Sequence, residues 1–335
     1  MTIINGIEID NIEFTYNDIK AAIQLNEPIE NNLHCIIVIS NPCLYARRYI
    51  LAKEFIKRME YEENIKLYIV ELAYGDMKYY VTESHNPMHL QLRAGLDQVL
   101  WHKENMINIA VNKLLPKTWK AMAWIDADIE FDNNSWALDT LKILNGCKDV
   151  VQIFSHAIDM DKHMNAMSIY PSFGFQYTKK RPYGLIGNNF WHPGFAWAMT
   201  RKAYEKVGGL YDVSILGSGD HNMAFSFLGN GIKSINQLTT DGYKKSVLEF
   251  EKKAINIRLG YVPGMIRHYF HGSKKNRKYM ERWQILVTNN YNPYIHITKN
   301  DDGLLIPTKE CPQQLLDSIM QYFSERNEDE GYELA

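Results

Sequence analysis

Two carboxylates follow a short apolar run in the middle of the chain. Residues 120–125 read KAMAWI, and Asp126 and Asp128 come directly after them. Alternate residues of an extended backbone share one side, so we expect both carboxylates to face the edge at which open α/β sheets bind ligands. Two hard oxygen ligands suit Mn2+ or Mg2+ completed by substrate phosphates. The spacing predicts a metal or nucleotide site. The alternative is that these carboxylates only cap the end of a strand. A D-x-D pattern is also expected about once by chance in a chain of this composition, and a second one is present at Asp159 and Asp161.

Two histidines stand three residues apart near the end of a later apolar run. His268 and His271 belong to the segment 265–272, MIRHYFHG, and lysines and arginines follow at 274–278. Imidazole ligates Mn2+, while Lys and Arg neutralise phosphate oxygens. The segment therefore predicts a site for a metal-bound diphosphate, with a solvated basic loop as the alternative.

A single carboxylate, Asp220, follows the glycine-rich turn 217–219 and precedes a helical stretch. It could cap that helix by accepting backbone N–H groups, or it could be a general base that takes a proton from an acceptor hydroxyl. The spacing leaves both interpretations open. His221 beside it is most simply a packing neighbour.

The segment 182–200 contains no Lys, Arg, Asp or Glu and is rich in Trp, Gly and Asn. Such a composition is typical of the wall of a small-molecule pocket, and a buried core turn is the alternative. Asparagines and glycines are costly in lipid, so we do not expect a membrane span here. We predict that the acceptor, the molecule whose hydroxyl Asp220 would deprotonate, is bound by Trp191, His192 and Gly194 of this segment together with His221.

The elements that must position these residues alternate between strands and helices. The helix predicted over 101–115 has an apolar stripe for a sheet, with Glu104, Asn105, Asn108 and Asn112 on its opposite side. Strands are predicted at 35–40, 66–71, 120–125, 149–154 and 261–271. Helices are predicted in the leader, capped by Asn17, and at 46–59, from Thr200 to Gly208, from about Asp220 and around 315–323, before a frayed acidic tail at 325–330. This order predicts a mainly parallel central sheet flanked by helices, with a C-terminal helical extension.

Composition narrows the class of protein. The 335 residues are 46% hydrophobic, which is enough for a large core, and the net charge of −2 argues against affinity driven mainly by nucleic-acid phosphates. Four scattered cysteines offer no zinc or disulfide framework. We found no secretory signal and no membrane span, so we expect a cytoplasmic location.

Four segments in this order resemble the nucleotide-sugar glycosyltransferases of the GT-A fold. They are WIDAD at 124–128, HPGFAWAMTRKAYEKVGG at 192–209, GSGD at 217–220 and MIRH at 265–268. That family has a D-x-D pair, a downstream stretch that ends in two glycines, a segment that bears the catalytic carboxylate, and a late metal-ligating histidine. The later segments are most similar to the inverting galactosyltransferase and family 2 branches. The resemblance extends from about residue 35 to residue 282.

The resemblance implies a metal-dependent, inverting transfer from a UDP-sugar to a hydroxyl of a glycan or glycoconjugate, with Mn2+ or Mg2+ as cofactor. It implies a GT-A domain over 1–300, with a leader at 1–33, a Rossmann-like nucleotide-sugar-binding half at 34–155 and an acceptor and metal half at 156–285. The C-terminal helix and acidic tail follow at 301–335.

The resemblance also implies roles for individual residues. Asp220 would be the base, Asp128 would ligate the metal with His268 or His271, and Asp126 would lie at the metal and reach the ribose or donor sugar. Glu71 would lie near the uracil. Weaker candidates for the nucleotide are Asn41, Tyr45, Arg93 and Lys103.

Two departures from the family pattern leave alternatives open. The family's Glu-Asp pair is Gly219-Asp220 here, so the acid that orients the acceptor is missing or comes from elsewhere. The metal arm could be Met265 with His268, or His268 with His271. A retaining glycosyltransferase is the nearest rival, a pyrophosphorylase ranks low because residues 40–45 lack glycine, and an inactive carbohydrate-binding module is the rival from another class.

Overall fold

The computed structural model describes residues 27–184 and 189–331, together with the short strands Ile3–Ile4 (β1) and Ile7–Glu8 (β2), which pair with each other. The helix predicted with Asn17 as its cap lies outside the described residues. Within the described ranges, no helix combines the length and the apolarity that crossing a membrane requires.

The described elements alternate as the sequence predicts. The remaining strands are β3 (Leu33–Ser40), β4 (Ile65–Tyr74), β5 (His89–Ala94), β6 (Ala121–Ile125), β7 (Ile129–Phe131), β8 (Val150–Gln152), β9 (His156–Met160), β10 (Ala166–Pro171), β11 (Ala196–Thr200), β12 (Leu259–Tyr261), β13 (Met265–His268), β14 (Ile297–Lys299) and β15 (Leu305–Pro307). The helices are α1 (Ala46–Met59), α2 (Lys103–Lys113), α3 (Trp136–Ile143), α4 (Phe173–Thr178), α5 (Arg201–Val207), α6 (Gly219–Phe227), α7 (Asp241–Ala254), α8 (Arg282–Thr288), α9 (Pro293–His296) and α10 (Gln313–Glu325).

A seven-stranded sheet in the order β12-β8-β11-β6-β3-β4-β5 forms the centre of the fold. Only β11 runs antiparallel to its neighbours among these described strands, and the other pairs are parallel. Both β3 and β6 are apolar runs buried on both faces, which is typical of parallel strands covered by helices. The predicted mainly parallel sheet, flanked by helices and followed by a C-terminal helix, is confirmed.

Two apolar clusters lie on the two faces of this sheet, because successive residues of a strand point to opposite sides. Ile36 of β3 belongs to one cluster and its neighbours Cys35 and Ile37 belong to the other. Trp124 of β6 and Trp197 of β11 face each other in register and stack with a ring separation of 6.2 Å. Apolar packing on both faces therefore stabilises the sheet and fixes the positions of its strand ends.

A second sheet, β10-β9-β13-β7, carries the late histidines. The sequence predicts a single strand over 261–271, and this prediction is wrong. The chain leaves the central sheet at Tyr261 and enters the second sheet at Met265. Pro263 has no N–H to donate, and Gly264 has a φ of +143°, so the ladder breaks between the two sheets.

Part of the polar side of α2 is buried, although Asn112 on the same side is exposed. Glu104 and Asn105 are 2% and 1% exposed. The amide of Asn105 donates to Gly303 O at 3.0 Å and accepts from Leu305 N at 2.9 Å. Helical periodicity separates polar from apolar sides, but it does not show whether the polar side meets water or the backbone of another segment.

The residues that follow α10 are packed, so the prediction of a frayed acidic tail is wrong. We call residues 326–330 the C-terminal segment. Glu328 is 1% exposed and forms ion pairs with Arg48 and Arg326. Asp329 accepts from the backbone N–H of Ala46 at 3.0 Å and caps the start of α1. Buried charges persist when they are paired, and here the acidic run provides those pairs.

Candidate active site

Asp128, His268 and His271 meet at the boundary between the two sheets. One ligand atom of each lies within 4.8 Å of the others. His271 Nε2 is 2.9 Å from Asp128 Oδ2, His268 Nε2 is 3.9 Å from it, and the two Nε2 atoms are 3.2 Å apart. Antiparallel pairing of β13 with β7 sets His268 opposite Ile129, the residue after Asp128. Strand pairing thus brings together residues 140 positions apart.

This cluster fits a divalent cation. Asp128 Oδ1 is buried and has no hydrogen-bond partner among the described residues. A buried carboxylate oxygen without a partner is costly unless a cation compensates it. Burial opposes ionisation, but His271 and His268 hold the pKa of Asp128 below its usual range, so the carboxylate is charged. One carboxylate with two imidazoles is a donor set that suits Mn2+.

Asp159 contacts His268 at Nδ1, the ring nitrogen that is not part of the cluster. Its Oδ1 lies 2.7 Å from Nδ1 of His268, and parallel pairing of β9 with β13 sets the two residues opposite each other. An imidazole that donates its Nδ1–H to a carboxylate leaves Nε2 free to ligate a metal. From the sequence, the D-x-D of Asp159 was expected to occur by chance, and nothing in the local sequence distinguishes it. Its neighbour Asp161 is exposed and hydrogen-bonds within a turn.

The C-terminal segment reaches the same cluster. Glu328 Oε2 is 3.6 Å from Nδ1 of His271, on the side of the ring away from Asp128. The carboxylates of Asp159 and Glu328 therefore face the Nδ1 atoms of the two histidines. The sequence gives no signal for Glu328 at this site, because its contacts with His271 and Arg48 join segments more than 50 residues apart.

Basic side chains line an open pocket beside the histidines, with a volume of about 160 Å³. Arg277 Nη2 is 2.6 Å from His271 Nε2, and Lys274 Nζ is 2.7 Å from Asp159 Oδ2. Both cations belong to the segment in which the sequence predicts diphosphate binding. Guanidinium and ammonium groups at this distance from a metal cluster can neutralise phosphate oxygens.

Asp126 contacts different partners from Asp128. Its carboxylate forms an ion pair with Lys103, the first residue of α2, and its backbone N–H donates to Phe195 O at 2.8 Å. We expected the two carboxylates to share one side. The strand ends at Ile125, however, so the alternation of an extended backbone does not continue through residues 126–128. Of the two carboxylates, the described cluster contains Asp128 alone.

Asp220 lies inside the first turn of α6, one residue after the helix begins at Gly219. It is not the N-cap residue, and its Oδ1 accepts from the N–H of His221 at 2.9 Å. A Cβ at Gly194 would lie 3.3 Å from Asp220 Oδ2, so the predicted pocket wall passes directly beside this carboxylate. Burial raises the pKa of Asp220, and Lys103 opposes the shift. A carboxylate with these properties can act as a general base.

The other residues predicted to bind the acceptor make aromatic contacts. His192 stacks on Phe195 with a ring separation of 4.3 Å, and Trp191 Nε1 donates to Pro182 O at 3.3 Å. The ring of His221 meets Phe225 edge-on. Burial lowers the pKa of His192 to about 3 and that of His221 to about 4, so both rings are neutral at pH 7. Residues 185–188 of this wall lie outside the described residues.

Phe195 connects the wall with the metal cluster. Its ring lies 4.3 Å from that of His192 and 4.7 Å from that of His268. Its φ is +81°, which is uncommon for a residue with a bulky side chain. Such backbone conformations persist where the surrounding packing enforces them, and here Phe195 is 7% exposed.

The candidates for nucleotide binding use their polar groups for local structure. Asn41 exchanges two hydrogen bonds with the backbone of Tyr45, whose hydroxyl donates to Ser324 O at 2.6 Å. Arg93 Nη1 donates to Met77 O at 3.0 Å. Lys103 alone of this group contacts a carboxylate of the D-x-D pair in the described structure.

Glu71 is 2% exposed and anchors a loop. Its carboxylate accepts from the backbone N–H groups of Tyr80 at 2.7 Å, Val81 at 3.0 Å and Thr82 at 2.8 Å, and from the Thr82 hydroxyl at 2.7 Å.

Replacing Glu71 by Gln is expected to lower the free energy of unfolding by about 1–3 kcal/mol, because an amide nitrogen would then face backbone donors in a buried position. Affinity for UDP with Mn2+ should not change. Urea denaturation and calorimetry measure the two quantities, with the exposed Glu63→Gln as control. Unchanged stability with weaker UDP binding would instead assign Glu71 to the nucleotide site.

The sequence matches no protein-family model and none of the curated proteins. Among solved structures, similarity is found to a mutant Drosophila β1,4-galactosyltransferase 7 in complex with manganese, UDP-Gal and xylobiose, with a TM-score of 0.39, 8% identity and coverage of 86% of this chain and 98% of that one. A mannosyltransferase from Pyrobaculum calidifontis in complex with GDP-Man and Mn2+ is also similar, with a TM-score of 0.41 and 11% identity. The match covers 89% of this chain and 71% of that one. At TM-scores this low, the similarity assigns neither a substrate nor a mechanism to this chain. Both are glycosyltransferases, the class of enzyme that the sequence motifs resemble.

Proposed function

We propose that this chain is a metal-dependent glycosyltransferase that moves a sugar from a UDP-sugar to a hydroxyl of a glycan or glycoconjugate, with inversion. The observation that carries the proposal is the meeting of Asp128, His268 and His271, beside Lys274 and Arg277. There a buried carboxylate oxygen has no partner among the residues that the structure describes. The four ordered sequence motifs support it. UDP is proposed from the sequence resemblance.

Asp128, His268 and His271 would hold a Mn2+ or Mg2+ ion. The bound ion would supply positive charge for the diphosphate that leaves the sugar. Arg277 and Lys274 stand beside the same pocket and add cationic charge there. Asp159 holds His268 so that its Nε2 faces the cluster. Together these side chains would bind and orient the diphosphate end of the donor.

Asp220 would take the proton of the acceptor hydroxyl as that oxygen attacks the anomeric carbon. The new bond joins the acceptor oxygen to the sugar, the bond to the diphosphate oxygen breaks, and UDP leaves with the electron pair. Lys103 lies near Asp220 and favours its ionised form, which is the form that accepts a proton. Attack from the face opposite the leaving group inverts the anomeric carbon.

The function is tested with a panel of UDP- and GDP-sugars, with Mn2+ and with a chelator. We expect hydrolysis of a UDP-sugar that depends on Mn2+, and transfer to a glycan with inverted configuration at the anomeric carbon. A product with retained configuration would reject inversion and the role of Asp220. Binding of a glycan without metal-dependent UDP binding would indicate a carbohydrate-binding module.

Replacing Asp159 by Asn is expected to weaken Mn2+ affinity by about 10–100-fold, because the imidazole of His268 would lose the carboxylate that fixes its orientation. The matched control is Asp161→Asn, which changes the exposed carboxylate of the same D-x-D. Calorimetric titration with Mn2+ measures both variants. Equal affinities in the two variants would show that Asp159 does not support the metal site.

A further inference from the structure

Glu104 is a buried carboxyl group that the proposed mechanism leaves without a role. It is the second residue of α2, directly after Lys103, and it is 2% exposed. Glutamate is rarely buried to this extent unless it is paired or has a function.

The carboxyl group of Glu104 lies against the first residue of α6. A Cβ at Gly219 would lie 2.5 Å from Cδ and 2.6 Å from Oε1 of Glu104. Cβ atoms do not approach other atoms this closely, so a side chain at position 219 would displace the carboxyl group of Glu104. The carboxyl group therefore fills the volume that a side chain at position 219 would occupy, one residue before Asp220.

The charged groups near Glu104 come from its own helix and from two other elements. Lys103 is on its own helix, Asp126 follows β6, and Asp220 is on α6. Arg282 of α8 donates a hydrogen bond to the Ser218 hydroxyl, and Tyr243 of α7 lies close enough for the charge of Glu104 to affect its pKa. Burial raises the pKa of Glu104 to about 8, Lys103 opposes this shift and Asp220 increases it. At pH 7 the group is mainly protonated, so it can donate a hydrogen bond where Asp220 can only accept one.

We propose that Glu104 is the second acidic group of the acceptor site and that it holds the attacking sugar hydroxyl for Asp220. The hydroxyl would accept a hydrogen bond from the protonated Glu104 while donating its own proton to Asp220. The sequence has glycine where the resembled family has an acid, and a carboxyl group from a different helix fills that place. This inference rests on the proposed transfer reaction and adds the residue that binds the acceptor beside the base.

The test compares two substitutions of Glu104 at pH 7. Glu104→Leu keeps apolar volume in the buried site but cannot form hydrogen bonds, and it should raise the acceptor KM about tenfold, the value of one lost hydrogen bond. Glu104→Gln keeps a donor of the same shape, and its acceptor KM should stay within about threefold of the original chain. UDP affinity in the presence of Mn2+ should not change in either variant, because the proposed metal ligands are Asp128, His268 and His271.

The pH profile supplies a second measurement, which serves even if the Leu variant fails to fold. Acceptor KM of the unsubstituted chain should rise between about pH 7 and pH 9, because ionised Glu104 has no proton to donate. The profile of Glu104→Gln should be flat over this range, because an amide does not titrate.

Several outcomes would overturn the assignment. They are an unchanged acceptor KM in Glu104→Leu, a tenfold higher acceptor KM in Glu104→Gln, or a rise of acceptor KM with pH that Glu104→Gln shares with the original chain. Loss of Mn2+-dependent UDP binding together with weaker acceptor binding would show a structural role for Glu104. If the unsubstituted chain itself neither hydrolyses nor transfers the donor, the proposed function fails, which is a different result from failure of the Glu104 variants alone.

Discussion

Replacing Asp220 by Asn is expected to lower the rate of sugar transfer by about 10²–10⁴-fold, the usual contribution of a general base. Asn has the same shape but does not take up a proton. The attacking hydroxyl would then have to lose its proton without help. UDP affinity in the presence of Mn2+ should stay the same, because the metal cluster is built from Asp128, His268 and His271.

The contacts of Asp220 explain why the fold should tolerate this change. Its Oδ1 accepts one hydrogen bond, from the N–H of His221, and the amide oxygen of Asn can accept the same bond. Asp220 is in the first turn of α6, where a negative charge adds about 0.3–1 kcal/mol. We therefore expect a stability loss below about 1 kcal/mol.

Asp241→Asn is the matched control, because Asp241 also lies in the first turn of a helix, with its side chain fully exposed on α7. Transfer rate, melting temperature and UDP affinity are measured for both variants. Transfer retained by Asp220→Asn would reject the base, and unfolding of that variant alone would make Asp220 a structural residue.

Replacing Asp128 by Asn is expected to weaken Mn2+-dependent UDP binding by more than about 100-fold, which exceeds the usual effect of removing a residue that only supports a ligand. An amide oxygen could still approach the ion, but the negative charge that attracts a divalent cation would be gone. The substitution removes no core volume, so the fold should be kept.

Calorimetry with UDP, in the presence of Mn2+ and after chelation, measures this effect. Asp132→Asn is a suitable control, because Asp132 follows β7 only four residues later and pairs with the partly exposed Arg267 at 3.1 Å. UDP affinity that still responds to Mn2+ as in the original chain would show that Asp128 is not a ligand. Loss of UDP binding in both variants would point to damage of the second sheet instead.

The parts of the fold that sequence patterns predicted are those determined by neighbouring residues. The helix Ala46–Met59 was predicted with its observed bounds, and Gly208, at a φ of +79°, ends the helix that Thr200 caps. The buried strands β3 and β6 were recognised because continuous apolar runs of this length have few alternatives.

The supporting residues of the site could not be predicted, because their contacts depend on pairing between distant segments. Asp159 meets His268 across 109 residues, and only the register of β9 with β13 brings them together. Glu104 was placed opposite the apolar stripe of its helix, and no local pattern shows that α6 covers it. The ligands themselves belong to motifs with characteristic spacing, and these supporting residues do not.

The packed C-terminal segment has a consequence for synthesis of the chain on the ribosome. Arg48 is made early, yet its partner Glu328 follows 280 residues later, and Glu328 is also the carboxylate behind His271. A nascent chain can form β3, α1 and β4 long before the histidine has this support. Long-range contacts of this kind form late, because a large loop must close first. Translation that stops before residue 328 would therefore release a protein with much of its sheet but without the carboxylate that faces His271 in the proposed metal site.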